Sequence, residues 1–376
     1  MKKILIKLLN IFVNILKIDD KKIIFEAGRG IVDGNVKAVY DYIVENNIKD
    51  FKTIWFVEKG TDVSSLREGD YIYYGTLRKY YHLATAKYWI RSQSLGGLIK
   101  KRKGQIYIQL FHGNGPMKKM GYDVTNAKER PPIDHVKEWD YYIGHSEEDI
   151  NIIKSSTGYN NKCEILGMAC IDSTLKLVKD NERKKQILEK LGILEKSKNK
   201  KIIFYAPTFR DFDLDKDVID VPIEELATLK DYIVIVRFHP LVRKKVNLDL
   251  FKHDNIVNGC DYPDSADILS ITDILITDYS NIYMQYLPLE LPIIFYPYDY
   301  EAYVELRGGF YLDYKKEVPG VICYTEEELI NTIKNISNLS KEIKKKQKVF
   351  NKKHNYLADG NASKRLVDKI IEGYFK

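Results

Sequence analysis

The chain of 376 residues has four cysteines, at positions 163, 170, 260 and 323, too widely spaced for a metal-ligand pattern. Such sparse thiols fit a reducing cytoplasm. No Walker A loop, zinc signature or Gly-x-Gly-x-x-Gly fingerprint is present, and none of those site types is expected. Gly28-Arg29-Gly30 follows the strand-like Lys22 to Phe25, but its spacing fails the dinucleotide pattern. Internal repeats and low-complexity linkers are also missing. The positive excess is small, with 60 Lys plus Arg against 53 Asp plus Glu. Without a recognition motif beside it, that excess does not favour nucleic acid as a partner.

What is present is a set of strand-to-turn corners. Asp273-Ile-Leu-Ile-Thr-Asp278-Tyr-Ser280 reads as a buried parallel strand entering a polar turn, with Ser280 placed to cap a helix from Asn281 to Leu287. A helix starting at the carboxyl end of such a strand offers N–H donors to an anion, at the edge where open α/β sheets bind ligands. Taken alone, the corner is better explained by a plain cap and turn, which every doubly wound protein contains. Three more strands end in comparable places. Gln105 to Leu110 leads into Phe111-His112-Gly113-Asn114-Gly115-Pro116, with Lys118 and Lys119 close behind. Lys201 to Tyr205 leads into Ala206-Pro207-Thr208-Phe209-Arg210, and Tyr232 to Arg237 leads into Phe238-His239-Pro240. Each histidine alone is as readily structural as catalytic. Two of them converging with Arg210 and Ser280 on strand ends favours catalysis on a phosphate-bearing substrate.

The order of elements is that of an α/β protein with two domains, for which this length is comfortable. Strands are expected at Ile23 to Glu26, Thr53 to Val57, Tyr88 to Ser92, Ile106 to Phe111 and Tyr141 to Gly144, and a helix at Asn35 to Glu45. The lysine-rich stretch from Asn181 to Lys201 is the expected boundary. This gives an amphipathic segment at 1–19, a first Rossmann-like domain at 20–195, a second at 196–350 and a helical segment at 351–376.

Taken together these motifs resemble the CDP-glycerol glycerophosphotransferases of wall teichoic acid synthesis and related capsule enzymes. The resemblance runs through the His112-Gly113 turn with Pro116 and its lysines, Tyr205 to Arg210, Arg237 to Pro240 and Asp273 to Ser280. It continues through Pro292 to Tyr296, Tyr298-Asp299, Glu301, Tyr303, Arg307-Gly308-Gly309-Phe310-Tyr311 and Asp359 to Ser363. The chain departs from the family pattern at Asn114-Gly115-Pro116-Met117-Lys118, where Thr-Pro-Leu-Lys is frequent, and at Asn281, where a second serine is frequent.

The resemblance implies a GT-B-like arrangement of two Rossmann-like domains across a cleft, with CDP-glycerol as donor and a lipid-linked saccharide as acceptor. His112 would be the general base and His239 would serve the departing phosphate. Ser280 would hold the pyrophosphate, with Arg210 and Arg307 offsetting its charge and Gly113 and Lys118 beside it. Asp278 and Glu301 are carried to the donor site with their roles open. No tightly bound cofactor is expected, and Mg2+ held through substrate phosphates stays open, since it would leave little trace in the sequence. Compact size resembles the priming enzymes that add one glycerol phosphate to undecaprenyl-diphosphate-linked ManNAc-GlcNAc. Glycerol- or ribitol-phosphate polymerisation, a GT-B glycosyltransferase of nucleotide sugars and a non-enzymatic binding protein stay open. So does association with another copy or with other teichoic acid enzymes.

In Met1 to Ile18, polar residues recur every three or four positions among Ile4, Leu8, Phe12, Leu16 and their apolar neighbours. At 1.5 Å per residue the segment spans roughly 27 Å, but lysines along its polar stripe argue against a membrane span and for an interfacial helix. An amphipathic helix packed on the protein's own core is the alternative. Lys100, Lys101, Arg102 and Lys103 form a basic cluster suited to an anionic surface. The expected location is peripheral, on the cytoplasmic face of the cell membrane.

Overall fold

The computed structural model describes residues 15–93, 100–112, 115–124, 134–208, 210, 221–239 and 247–376. Their strands form two sheets, in which every neighbouring pair runs parallel. Parallel neighbours require long crossovers, and helices supply most of these here.

The first compact unit takes the described residues of Met1–Asn114, Pro131–Asp172 and Leu357–Lys376. Its strands are β1 (Asp19–Glu26), β2 (Lys52–Val57), β3 (Tyr71–Tyr73), β4 (Ala86–Arg91), β5 (Ile106–Gln109), β6 (Tyr141–Gly144) and β7 (Lys162–Ile165). They lie in the order β3-β2-β1-β4-β5-β6-β7. Ile23, Ile24 and Phe25 are buried on both faces of β1, because helices cover each side of a doubly wound sheet. Phe25 stacks on Trp55 at 5.7 Å, and Tyr40 from the helix Gly34–Glu45 closes edge-on over both. The helix Ala362–Ile371 completes this core with Leu366, Val367 and Ile370, and Phe375 packs edge-on against Tyr141 at 4.7 Å. Asp172 receives the start of that helix, accepting from the amides of Ala362 and Ser363 at 3.2 and 2.7 Å.

The strand order reverses between β1 and β4, and a buried ion cluster sits at that reversal. Glu26 meets Lys79 at 2.9 Å and Arg91 at 2.6 Å. Burial pushes the Glu26 carboxyl up, but Arg91 and Lys79 together outweigh burial and hold it below its usual 4.5. A lowered carboxyl pKa means that the unfolded chain binds the proton first as pH falls. The stability that Glu26 contributes is therefore present above 4.5 and lost on acidification. The urea midpoint should fall with pH through that range, and the Glu26→Gln variant should show a shallower slope.

The second unit takes the described residues of Gly115–Arg130 and Ser173–Tyr356. Its strands are β8 (Lys201–Ala206), β9 (Tyr232–Val236), β10 (Ile256–Asn258), β11 (Ile274–Thr277), β12 (Ile293–Phe295) and β13 (Val321–Ile322), in the order β10-β9-β8-β11-β12-β13. The division between units falls at Asp172, ahead of the lysine-rich stretch. The helix Asn181–Lys190 belongs to the second unit because Arg183 pairs with Asp267 at 2.8 Å and Lys190 lies over the Tyr262 ring. The helix Glu326–Lys334 adds Leu329 and Ile333 to this core. It opens on a capping box in which Thr325 accepts from the Glu328 amide at 3.2 Å and Glu328 accepts from the Thr325 amide at 3.3 Å. Thr325→Ala should cost about 1 kcal/mol in a denaturation experiment.

Candidate active site

In the first unit, β5 delivers His112 through a strained turn. Phe111 has φ of +52°, a left-handed conformation that a bulky side chain rarely adopts. Three polar contacts hold it there. The Phe111 amide donates to Gln109 Oε1 at 3.0 Å, while the Asn35 carboxamide donates to the carbonyls of Leu110 and Phe111 at 3.3 and 3.4 Å. Asn35 is itself fixed by the Cys170 amide, which donates to its Oδ1 at 3.0 Å. Strain maintained by its surroundings in this way is typical of functional turns.

The outcome is an exposed imidazole with a defined tautomer. His112 Nδ1 lies 2.9 Å from the Ser92 carbonyl, which can only accept, so Nδ1 carries the proton. Nε2 of the neutral ring then presents a lone pair, and the Gln93 carboxamide nitrogen approaches it at 3.2 Å.

In the second unit, the order reverses between β8 and β11, and the turns after those two strands are locked together. Asp278, wholly buried, accepts from the amides of Thr208 and Tyr279 at 2.9 and 2.5 Å. Its other oxygen meets Arg210 at 2.9 Å. Arg210 also grips Asp299 with two parallel bonds of 2.6 and 2.9 Å and donates to the Thr208 carbonyl at 2.5 Å. Burial works against the guanidinium charge, yet Asp278 and Asp299 hold Arg210 firmly protonated. Tyr279 donates to Asp299 at 3.0 Å and stacks on Tyr303 at 3.6 Å, and Arg210 lies over both rings.

This geometry fixes the contacts of two candidate residues. Arg210 bonds to two carboxylates and a carbonyl and so holds the corner together. Asp278 has no exposed surface and acts through the loops it pins. Asp299 was legible only as part of a motif, and its pairing with Arg210 spans 89 residues. Ser280 accepts from the Ile282 amide at 3.3 Å, and the helix it opens runs Ile282–Tyr286, shorter than the expected Asn281 to Leu287. So short a helix has a weak dipole.

A ribbon joins the segment of Lys118 to the turn that follows Arg307. Lys118 bridges antiparallel to Phe310, the Lys119 amide donates to the Gly309 carbonyl at 3.2 Å, and the Tyr311 amide donates to the Met117 carbonyl at 3.1 Å. Tyr311 Oη donates to Asp123 at 2.6 Å. Gly308 and Gly309 have φ of +79° and +85°, and a Cβ on Gly308 would sit 2.7 Å from a Val124 methyl, so this turn requires glycine at the first position. Phe310 carries the ribbon onto the Tyr279 and Tyr303 rings. His239, half-buried, follows β9, one strand from the reversal on the same edge of the sheet. Glu301 is exposed and pairs with Lys315 at 3.3 Å.

Gly113, Ile4, Leu8 and Phe12 lie outside the described residues. Leu16, partly buried, packs against Tyr80 and Ala84, and Arg102 anchors its carbonyl at 2.8 Å. Arg102 also donates to the Ala84 carbonyl, and Lys101 pairs with Asp140, so Lys100 and Lys103 are the exposed members of the basic cluster. Among the described residues, no helix is long and apolar enough to cross a membrane, and no group of three or more His, Cys, Asp or Glu is gathered for a metal.

A family model described as CDP-Glycerol:Poly(glycerophosphate) glycerophosphotransferase matches residues 8–372. A teichoic acid poly(glycerol phosphate) polymerase of Bacillus spizizenii is 31% identical over 96% of this chain and 94% of its own length. A teichoic acid glycerol-phosphate primase of Bacillus subtilis is 34% identical over 73% of this chain and 70% of its own. Among solved structures, the wall teichoic acid polymerase TagF superposes with a TM-score of 0.86 at 23% identity, covering 98% of this chain and 92% of that one.

Proposed function

We propose that this chain, which belongs to the CDP-glycerol:poly(glycerophosphate) glycerophosphotransferase family and is a CDP-glycerol glycerophosphotransferase of teichoic acid synthesis, transfers glycerol phosphate to a hydroxyl of a lipid-linked saccharide with His112 as general base. The observation that carries the reading is the His112 ring, whose Nδ1–H is spent on Ser92 and whose Nε2 keeps a lone pair. In the reaction, Nε2 takes the proton of the acceptor hydroxyl and the oxygen attacks the β-phosphorus of CDP-glycerol. The bond from that phosphorus to the bridging oxygen breaks, and CMP leaves with the electron pair. His239 hydrogen-bonds or protonates the departing phosphate. Ser280, Arg307 and Lys118 face the pyrophosphate, and Arg210 with Asp278 and Asp299 keeps their corner rigid, so that electrostatic stabilisation comes from groups already in place.

The acceptor we infer is undecaprenyl-diphosphate-linked ManNAc-GlcNAc, receiving a single unit. A second reading, chain extension, is favoured by the polymerase relative that this chain matches over 94% of its length, since compact size then fails to separate primase from polymerase. Exposed Lys100 and Lys103 suit peripheral contact with an anionic membrane at the cytoplasmic face, where such an acceptor is presented. The test is to supply CDP-glycerol and a short-chain lipid acceptor and to follow CMP release and acceptor mass together. One added glycerol phosphate supports priming and a ladder supports extension. Release of CDP from a nucleotide sugar, with CDP-glycerol left untouched, would sink the donor.

A further inference from the structure

The two residues that follow β4 address both nitrogens of His112. The Ser92 carbonyl accepts from Nδ1, and the Gln93 carboxamide nitrogen stands 3.2 Å from Nε2. The backbone of Gln93 is held too, its main-chain carbonyl accepting from Tyr107 Oη at 3.4 Å. A third constraint comes from the end of β1. A Cβ on Gly28 would lie 2.5 Å from Gln93 Cδ and 2.6 Å from its Oε1, so the carboxamide occupies the space that a side chain at position 28 would take. Gly28 has no left-handed φ, and the space left by its missing side chain is where the Gln93 carboxamide sits. Thus β1 and β4, the strands on either side of the reversal, converge on the ring delivered by β5.

We propose that Gln93 is a positioning residue for His112. Its N–H donates to the Nε2 lone pair in the resting protein, holds the neutral Nδ1–H tautomer, and gives up that lone pair when an acceptor hydroxyl arrives. The proposal rests on the reading of His112 as the base. A hydrogen bond made to the neutral ring disfavours the imidazolium, so Gln93 favours the form of His112 that can take a proton. The described charged groups of the adjoining elements are Glu26 of β1, which pairs with both Arg91 of β4 and Lys79 of the helix Leu77–Thr85, and Glu138 near Arg91.

The experiment pairs histidine ring NMR of the full chain without substrates with pH profiles of CMP release. In the wild type the ring should show the Nδ1–H tautomer. Gln93→Ala should weaken that preference and lower kcat severalfold, through the smaller share of rings with Nε2 unprotonated, with the donor KM little changed. Gln93→Glu sets an anion against Nε2 and should raise the His112 titration by about one unit, moving the acid limb of the rate profile upward with it. Gly28→Ala displaces the carboxamide without removing it and should follow Gln93→Ala, which guards against a fault in folding of either variant. A His112 ring with the same tautomer and titration in wild type, Gln93→Glu and Gly28→Ala overturns the proposal. Undiminished transfer by His112→Ala overturns the base reading instead, and the NMR result still judges Gln93 separately.

Discussion

Arg210→Met is expected to destabilise the second unit by about 3–5 kcal/mol, because it strands a buried carboxylate. Asp278 has no contact with water, and its charge is balanced only within the corner it shares with Arg210 and Asp299. Methionine fills much of the arginine's volume but leaves two carboxylates facing a thioether. Arg210→Lys should recover part of the loss, since a point charge can meet one carboxylate but cannot reproduce the paired bonds to Asp299 at 2.6 and 2.9 Å. Asp278→Asn should cost less, about 1–2 kcal/mol, because an amide oxygen can still accept from Thr208 and Tyr279 while Arg210 keeps Asp299. The ranking can be read from urea midpoints. If Asp278→Asn proves worse than Arg210→Met, the charge balance described here is not what holds the corner.

His112→Ala should behave in the opposite way, with stability within about 0.5 kcal/mol of wild type and kcat lower by roughly 10²- to 10⁴-fold. The side chain is exposed, so little packing is lost. Binding of the donor should persist, because the groups assigned to the pyrophosphate are Ser280, Arg307 and Lys118. The residual rate should lose the acid limb that a titrating base imposes. CMP release over a range of pH, together with donor binding by calorimetry, separates this outcome from a general loss of structure. A variant that no longer binds donor would remove His112 from the role of base.

The contrast between these two residues shows what the sequence could convey. Strand-ending corners were legible because a continuous apolar run followed by Gly, Pro, Ser or Asp marks a buried parallel strand and its turn, as at Ile274–Thr277 and Tyr232–Val236. His112, His239 and Ser280 were accordingly found at their strand ends. The short strands Tyr71–Tyr73, Ile256–Asn258 and Val321–Ile322 were not foreseen, since three residues or fewer carry no readable period. Arg210 was found but its partners were not. An arginine beside a phosphate-compatible turn looks the same in sequence whether it meets a ligand or two carboxylates 68 and 89 residues away. The contacts of Asn35, Gln93 and Gly28 were invisible for the same reason, because amides and glycines have no pattern until the strands that carry them are neighbours.

The helix Ala362–Ile371 and Phe375 also fix an order of events during synthesis. Leu366, Val367, Ile370 and Phe375 fill the core around β1, yet they leave the ribosome after every strand of both sheets. The second unit, whose strands and helices end by Tyr356, has all its parts available while the first still lacks one side of its interior. The earlier-made half of the chain thus matures last. Until then its apolar surface is exposed to solvent, and chaperone binding to ribosome-bound chains should concentrate on residues 19–172 and fall away once residue 375 has emerged.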